Sequence, residues 1–334
     1  MTPDRADLVE AARQSIARGS KSFALASTLF DRRTRERAWL LYAWCRACDD
    51  LADGQELGHG MHAVADPAAR LAIIRERTVL ALAGEPTGDA AFDGFGVVAH
   101  ESAIPDSLVE DLIAGFALDA DGWRPRSEDD LYRYCYHVAG AVGVMMALVM
   151  GVSPDDEATL DRACDLGIAF QLANIARDIG EDWAAGRCYL PAEWLAEMDM
   201  PPGEHMQPPY RRRLALLAHR LANHAADYEA SARSGTAALP FRAAWAVMAA
   251  AGIYGDIARG VAKAGEHAWD HRVTTSKAAK LGWVGKAFFQ TLARRGASER
   301  SAELWTRPRH AGLVPASTGR QTPGGPVDPG TSPG

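Results

Sequence analysis

Two clusters of aspartates at helical spacing constrain this chain more than any other feature. Asp49, Asp50 and Asp53 form the first, and Asp178 and Asp182, with Glu181 beside them, form the second. Residues four apart lie on one helix face, one turn from each other. Like charges so placed weaken a helix by about 0.2–0.5 kcal/mol, so a second copy calls for a use. Two such helices face to face would line a pocket with hard oxygen ligands. That donor set suits magnesium, which takes one or two carboxylates plus substrate phosphates.

The acidic residues continue into apolar helix. At about 100° per residue, Tyr42, Arg46, Asp49, Asp50 and Asp53 share one face, and Gln171, Asn174, Asp178 and Asp182 share a narrower one. Leu40, Leu41 and Trp44 flank the first stripe, and Leu166, Ile168, Phe170 and Ile175 flank the second. With both stripes turned inward, a bundle gains a cavity with a carboxylate mouth and an apolar body. That shape fits a ligand with an anionic head and a hydrocarbon tail. The bland alternative is solvated helix surface. It fits a lone acidic pair, but not amides buried in the same stripe, which are costly unless hydrogen-bonded. A di-iron carboxylate bundle would want two Glu-x-x-His motifs, and the chain has one, Glu56–His59, in a stretch that reads as a loop.

Strand signals are nearly absent, and helical periodicity fills the segments between Pro and Gly. The pattern predicts helices over about 4–18, 32–53, 68–83, 90–101, 106–120, 128–150, 154–184, 209–233, 240–266 and 276–295. Ser127 and Ser153 read as caps, the latter with Pro154 in the first turn. Loops are expected at 55–66 and 199–209. The last 28 residues, from Arg307, hold six Pro and six Gly, a composition that favours disorder. The expected organisation is one all-α domain over 1–300 and a Pro/Gly-rich tail over 301–334.

The net charge of −7 argues against non-specific nucleic-acid binding. No uninterrupted apolar run reaches the ~20 residues of a membrane span. The charged N-terminus has no secretory pattern, and the five scattered cysteines fit a reduced cytoplasm. Cys45 and Cys48 form a C-x-x-C without a second ligand pair, which speaks against zinc. No histidine is assigned a role.

Five stretches then carry a family resemblance: Gly19–Phe23 (GSKSF), Tyr42–Asp53 (YAWCRACDDLAD), Tyr134–Gly143 (YCYHVAGAVG), Gln171–Asp182 (QLANIARDIGED) and Gly186–Pro191 (GRCYLP). In this order they resemble the squalene/phytoene synthase family, closest to its bacterial phytoene synthase branch. The match runs from about Gly19 to Arg272.

The resemblance implies an isoprenoid synthase-type all-α bundle around a central cavity. It implies head-to-head condensation of two geranylgeranyl diphosphates, through a cyclopropyl diphosphate (prephytoene diphosphate), to phytoene in carotenoid biosynthesis. Magnesium is the implied cofactor, with manganese as a substitute and no NADPH. Asp49, Asp50, Asp53, Asn174, Asp178 and Asp182 are the implied metal site, with Tyr42 and Arg46 in the catalytic set. Gln171, Arg177, Arg187 and Arg272 are implied at the diphosphate, together with the segment Ser20, Lys21, Ser22 and Phe23. Tyr134, Val138, Gly143, Tyr189 and Tyr254 are implied along the cavity. Core packing, helix capping and a structural ion pair for Arg177 stand as alternatives for single residues. The oily product implies a place at the membrane periphery or beside a downstream desaturase. A C30 synthase using farnesyl diphosphate, a non-catalytic prenyl diphosphate binder and a plain helical scaffold are the competing readings.

Overall fold

In the computed structural model, which describes residues 4–54, 66–294, 296 and 298–309, short polar side chains set where helices begin. Asp31 accepts a hydrogen bond from the Thr34 amide at 3.1 Å and opens α3 (Arg32–Asp53). Ser127 caps α7 (Glu128–Cys135) through the Asp130 amide, and Ser276 caps α13 (Lys277–Leu292) through the Ala279 amide. Each such cap satisfies an end amide and contributes about 1 kcal/mol.

The remaining helices are α1 (Arg5–Gly19), α2 (Lys21–Ser27), α4 (Pro67–Leu82), α5 (Ala90–Glu101), α6 (Asp106–Ala120), α8 (Ala141–Val149), α9 (Glu157–Ala184), α10 (Ala192–Glu197), α11 (Arg211–Gly235) and α12 (Phe241–Ala264). No strand occurs among the described residues, and the fold is the all-α bundle expected. No described helix is long and apolar enough to cross a membrane. The five cysteines are unbridged.

Four details differ from the sequence expectation. The helix expected from 154 starts at Glu157, because Asp156, not Ser153, is its cap, accepting from the Thr159 amide at 3.1 Å. Ser153 instead opens a turn, its carbonyl taking the Asp156 amide. The expected helix 128–150 is interrupted by a turn of π-helix, Tyr136–Gly140. Helices α2 and α10 fall in stretches read as connections. Residues 55–65 of the expected loop lie outside the described residues.

The core forms around α3 and α9. Leu40, Leu41 and Trp44 of α3 are fully buried, and Trp44 stacks on Phe95 of α5 at 3.7 Å between ring centroids. Burial of each such side chain stabilises the fold by about 1.5–3 kcal/mol. Helix α9 runs through the middle, packed by α8, α11 and α12. A Cβ on Gly167 would stand 2.2 Å from the Ala139 carbonyl oxygen, and one on Gly143 2.3 Å from that of Ala163. Backbones approach here more closely than side chains allow, which holds the π turn against α9.

The segment 298–309 lies against the bundle, although the sequence reading starts a tail at 301. Arg300 forms a two-pronged ion pair with the fully buried Asp165, at 2.7 and 2.9 Å. Arg307 is itself buried and donates to Asp161 at 3.0 Å. The Trp305 amide donates to the Tyr228 hydroxyl. Residues 310–334 lie outside the described residues.

Candidate active site

Helices α3 and α9 both contribute their polar stripes to the lining of one cavity. Tyr42, Arg46 and Asp49 come from α3, and Gln171, Asn174, Asp178 and Asp182 from α9. The cavity holds about 510 Å³, within the range of a small-molecule site. Its lining follows α9 from Asp182 back to Thr159, roughly 35 Å of helix at 1.5 Å per residue. Past the polar end the wall becomes apolar, with Phe116, Val138, Met146, Met150 and Leu239. Gly143 lines it too, and its lack of a side chain serves helix packing as well as space.

The polar end is electrostatically tense. Burial, and then the neighbouring Asp178, push the Asp182 carboxyl up to about 7, against the opposing pull of Arg187. Asp178 is gripped by Arg177, through Nε at 2.7 Å, and by Arg272, 3.1 Å away. Arg177 lines the cavity, so its structural ion pair and its place at the site coexist. Arg46 lies 3.4 Å from Asp49. The Tyr42 hydroxyl and the Arg46 Nε are buried side by side without a hydrogen-bond partner of good geometry. Buried polar atoms are nearly always satisfied, so a polar ligand fits at this end.

These observations test the fit of a divalent cation. Among the described residues, no three carboxylate, imidazole or thiolate groups converge into a closed cage. Magnesium does not require one, since it keeps waters and takes phosphate oxygens. A carboxyl raised by burial and by its acidic neighbour, with Asp49 lining the same cavity, is a donor set that a cation would relieve. The residues present fit the ion.

The tyrosines form two groups. Tyr134 and Tyr189 stack at 4.7 Å, and both hydroxyls donate to Asp119, at 3.0 and 2.8 Å. Tyr254 stacks on Phe170 at 4.3 Å and lies 5.2 Å from Phe23. All these rings line the cavity. Burial pushes the Tyr254 hydroxyl up to about 12, so it remains a neutral phenol. Asp119, on α6, lines the polar end and was missed by sequence reasoning. The available signal was an acid in the last turn of a helix, where the dipole disfavours it.

Other expected residues stand elsewhere. Ser20 accepts from the Phe23 amide at 3.3 Å and caps α2. Of the Ser20–Phe23 segment, only Phe23 reaches the cavity wall, and Lys21 is exposed. Asp50 and Arg272 also lie outside the lining. Arg272 guards the rim, where it pairs with Asp178 and Glu181. The Asp53 side chain lies outside the described residues. Trp269 fixes the segment beside Arg272, its indole donating to the Ala176 carbonyl at 3.1 Å.

Comparison with known proteins agrees with this architecture. A family model described as squalene/phytoene synthase matches residues 16–279. The 15-cis-phytoene synthase of Pantoea ananas is 46% identical over 90% of this chain and 98% of its own. That of a Paracoccus species is 45% identical over 91% and 99%. A crystal structure of a dehydrosqualene synthase in complex with ligand superposes with a TM-score of 0.77, at 26% identity over 86% of this chain and 98% of that one.

Proposed function

The chain belongs to the squalene/phytoene synthase family, and we propose that it condenses two geranylgeranyl diphosphates head to head into 15-cis-phytoene. The observation that carries the reaction class is the single cavity with acidic and guanidinium groups at one end and a long apolar body behind them. The likeness of nearly half of all positions to bacterial phytoene synthases carries the product.

The diphosphate belongs at the polar end. Arg46, Arg177 and Arg187 offer guanidinium forks that match phosphate oxygens. Asp49, Asp178 and Asp182, with Asn174 and Gln171 alongside and Asp50 and Asp53 on the same α3 face, would hold magnesium, with manganese as a substitute. The bound ion supplies Lewis-acid neutralisation of the departing diphosphate. The Tyr42 hydroxyl and Arg46 Nε stand ready to bond the leaving group.

Ionisation leaves an allylic cation, which the double bond of the second substrate attacks to give the cyclopropyl diphosphate. A second ionisation opens and rearranges the ring, and loss of a proton completes phytoene without a reductant. The faces of Tyr42, Phe170 and Tyr254 stabilise passing positive charge. The Tyr134–Asp119–Tyr189 trio fixes two rings at the junction of polar and apolar walls. The apolar wall excludes water, which would quench the cation. A forty-carbon product partitions into lipid, so release implies contact with a membrane or a downstream desaturase.

Product identity tests this reading. Protein supplied with geranylgeranyl diphosphate and magnesium, without NADPH, should release a forty-carbon product with a conjugated triene chromophore. Product from farnesyl diphosphate alone would instead assign a C30 synthase.

A further inference from the structure

Helix α13 (Lys277–Leu292) has two apolar faces, and only one is used by the fold. Its inner face docks on α12 through Trp283, whose indole donates to Asp256 at 2.5 Å. Gly252 of α12 makes the room, since a Cβ there would stand 2.1 Å from the Trp283 ring. Ala287 and Thr291 complete that face and are buried. The outer face carries Leu281, Phe289 and Leu292, which are 63%, 70% and 61% exposed, with Gly282 and Gly285 between them. Three large side chains exposed to this degree on one short helix form a patch, and such patches mark contact sites.

The charge carried by α13 itself is one-sided, with Lys277, Lys280 and Lys286 and no acid. Between Asp270 and Glu299 the sequence holds six Lys or Arg and no acid, in a chain of net charge −7. Lys277 and Lys286 are exposed on opposite edges of the outer face, roughly 180° apart on the helical wheel. Lys280 feels Lys21 of α2, which extends the positive field toward the wall that carries Phe23. The chain's own last residues are a poor cover, because 310–334 contain a single acid, Asp328.

We infer that the outer face of α13 is a docking surface for an anionic phospholipid bilayer. The helix lies in the interface plane, its leucines and phenylalanine in the acyl boundary and its lysines at the headgroups. The surface flanks the site, since the segment from Arg272 at the cavity rim leads directly into α13. An oily product is thereby formed next to its solvent. The inference goes beyond the proposed chemistry, and bilayer binding needs no turnover.

The test uses the full chain and sedimentation with vesicles of phosphatidylcholine, with or without phosphatidylglycerol. The protein should follow only the phosphatidylglycerol vesicles, less so as salt rises. The double variant Leu281→Glu/Phe289→Glu should lose at least about tenfold in partitioning. The double variant Lys277→Glu/Lys280→Glu, which leaves Lys286 over the Trp283 ring, should lose about fivefold or more per charge. Both should keep wild-type turnover of detergent-dispersed substrate. Wild-type protein left in the supernatant with phosphatidylglycerol vesicles, or variants that sediment as wild type does, would overturn the inference. So would a wild-type oligomer that the Phe289 change dissociates, which would assign the face to a second copy of the chain.

Discussion

Arg272 reaches across 94 residues of chain to hold Asp178, its Nη2 standing 3.1 Å from one carboxylate oxygen. Arg177, the neighbour of Asp178 in sequence, grips the same carboxylate. One acid of the α9 wall is thus neutralised by two guanidinium groups. One of them belongs to a segment that docks on α9 through Trp269.

The Arg272 pair is half exposed, so its share of stability is small, within about 1 kcal/mol. Arg272→Ala should leave thermal melting nearly unchanged. It should lower kcat/KM by about ten- to a hundredfold, the equivalent of one charge-assisted hydrogen bond at the diphosphate. Steady-state kinetics with Arg272→Lys as the partial rescue check this. Unchanged kcat/KM would leave Arg272 a surface contact only.

Burial and the adjacent Asp178 disfavour the charged form of Asp182. Asp182→Asn removes a charge that burial and Asp178 oppose, so the variant should melt at the same temperature or higher. Turnover should fall by roughly a thousandfold with loss of the ligand, and the thermal shift produced by added magnesium should vanish. Calorimetry with and without magnesium reads both effects.

Gly167→Ala should destabilise the fold by about 1–3 kcal/mol, because its Cβ meets the Ala139 carbonyl oxygen at 2.2 Å. Chemical denaturation gives the magnitude. The same close approach seats the π turn, so the variant should also lose activity through displaced Val138 and Gly143.

Arg300→Ala leaves the fully buried Asp165 with the Ser231 hydroxyl and no cation. Breaking a buried pair from one side costs about 3–5 kcal/mol. Denaturant unfolding should show a loss of that order, whereas Asp165→Asn combined with Arg300→Ala should recover part of it.

Buried His205 supplies a pH dependence. Burial first, and Arg124 second, hold its imidazole below the ordinary histidine value of 6.5. The unfolded chain therefore binds a proton more readily. Stability from neutral His205 is complete above about pH 6.5 and is lost as pH falls through that value toward the folded one. Relative to His205→Leu, the wild-type melting temperature should drop between pH 8 and pH 5. A constant difference would contradict this.

The sequence made the two stripes legible because helical spacing and apolar flanks identify a face without tertiary information. Arg32–Asp53 follows its Asp31 cap to the residue, and Gln171 to Asp182 line one wall as their spacing implied. Asp119 was not legible, since its partners Tyr134 and Tyr189 stand 15 and 70 residues away. Helices α2 and α10, of seven and six residues, are too short to show a period. The docking of residues 298–309 was hidden by composition: Arg300 and Arg307 look like tail charges until Asp165 and Asp161 are placed beneath them.

The central claim is that the α3 and α9 walls together hold a divalent ion on a prenyl diphosphate. It is tested most directly by calorimetric titration of a non-hydrolysable geranylgeranyl diphosphate analogue into wild type, Asp49→Asn and Asp178→Asn, with and without magnesium. Tight binding only with magnesium, lost by a substitution on either wall, is the result this account requires. Binding equally tight without the metal, or insensitive to one of the two walls, would contradict it.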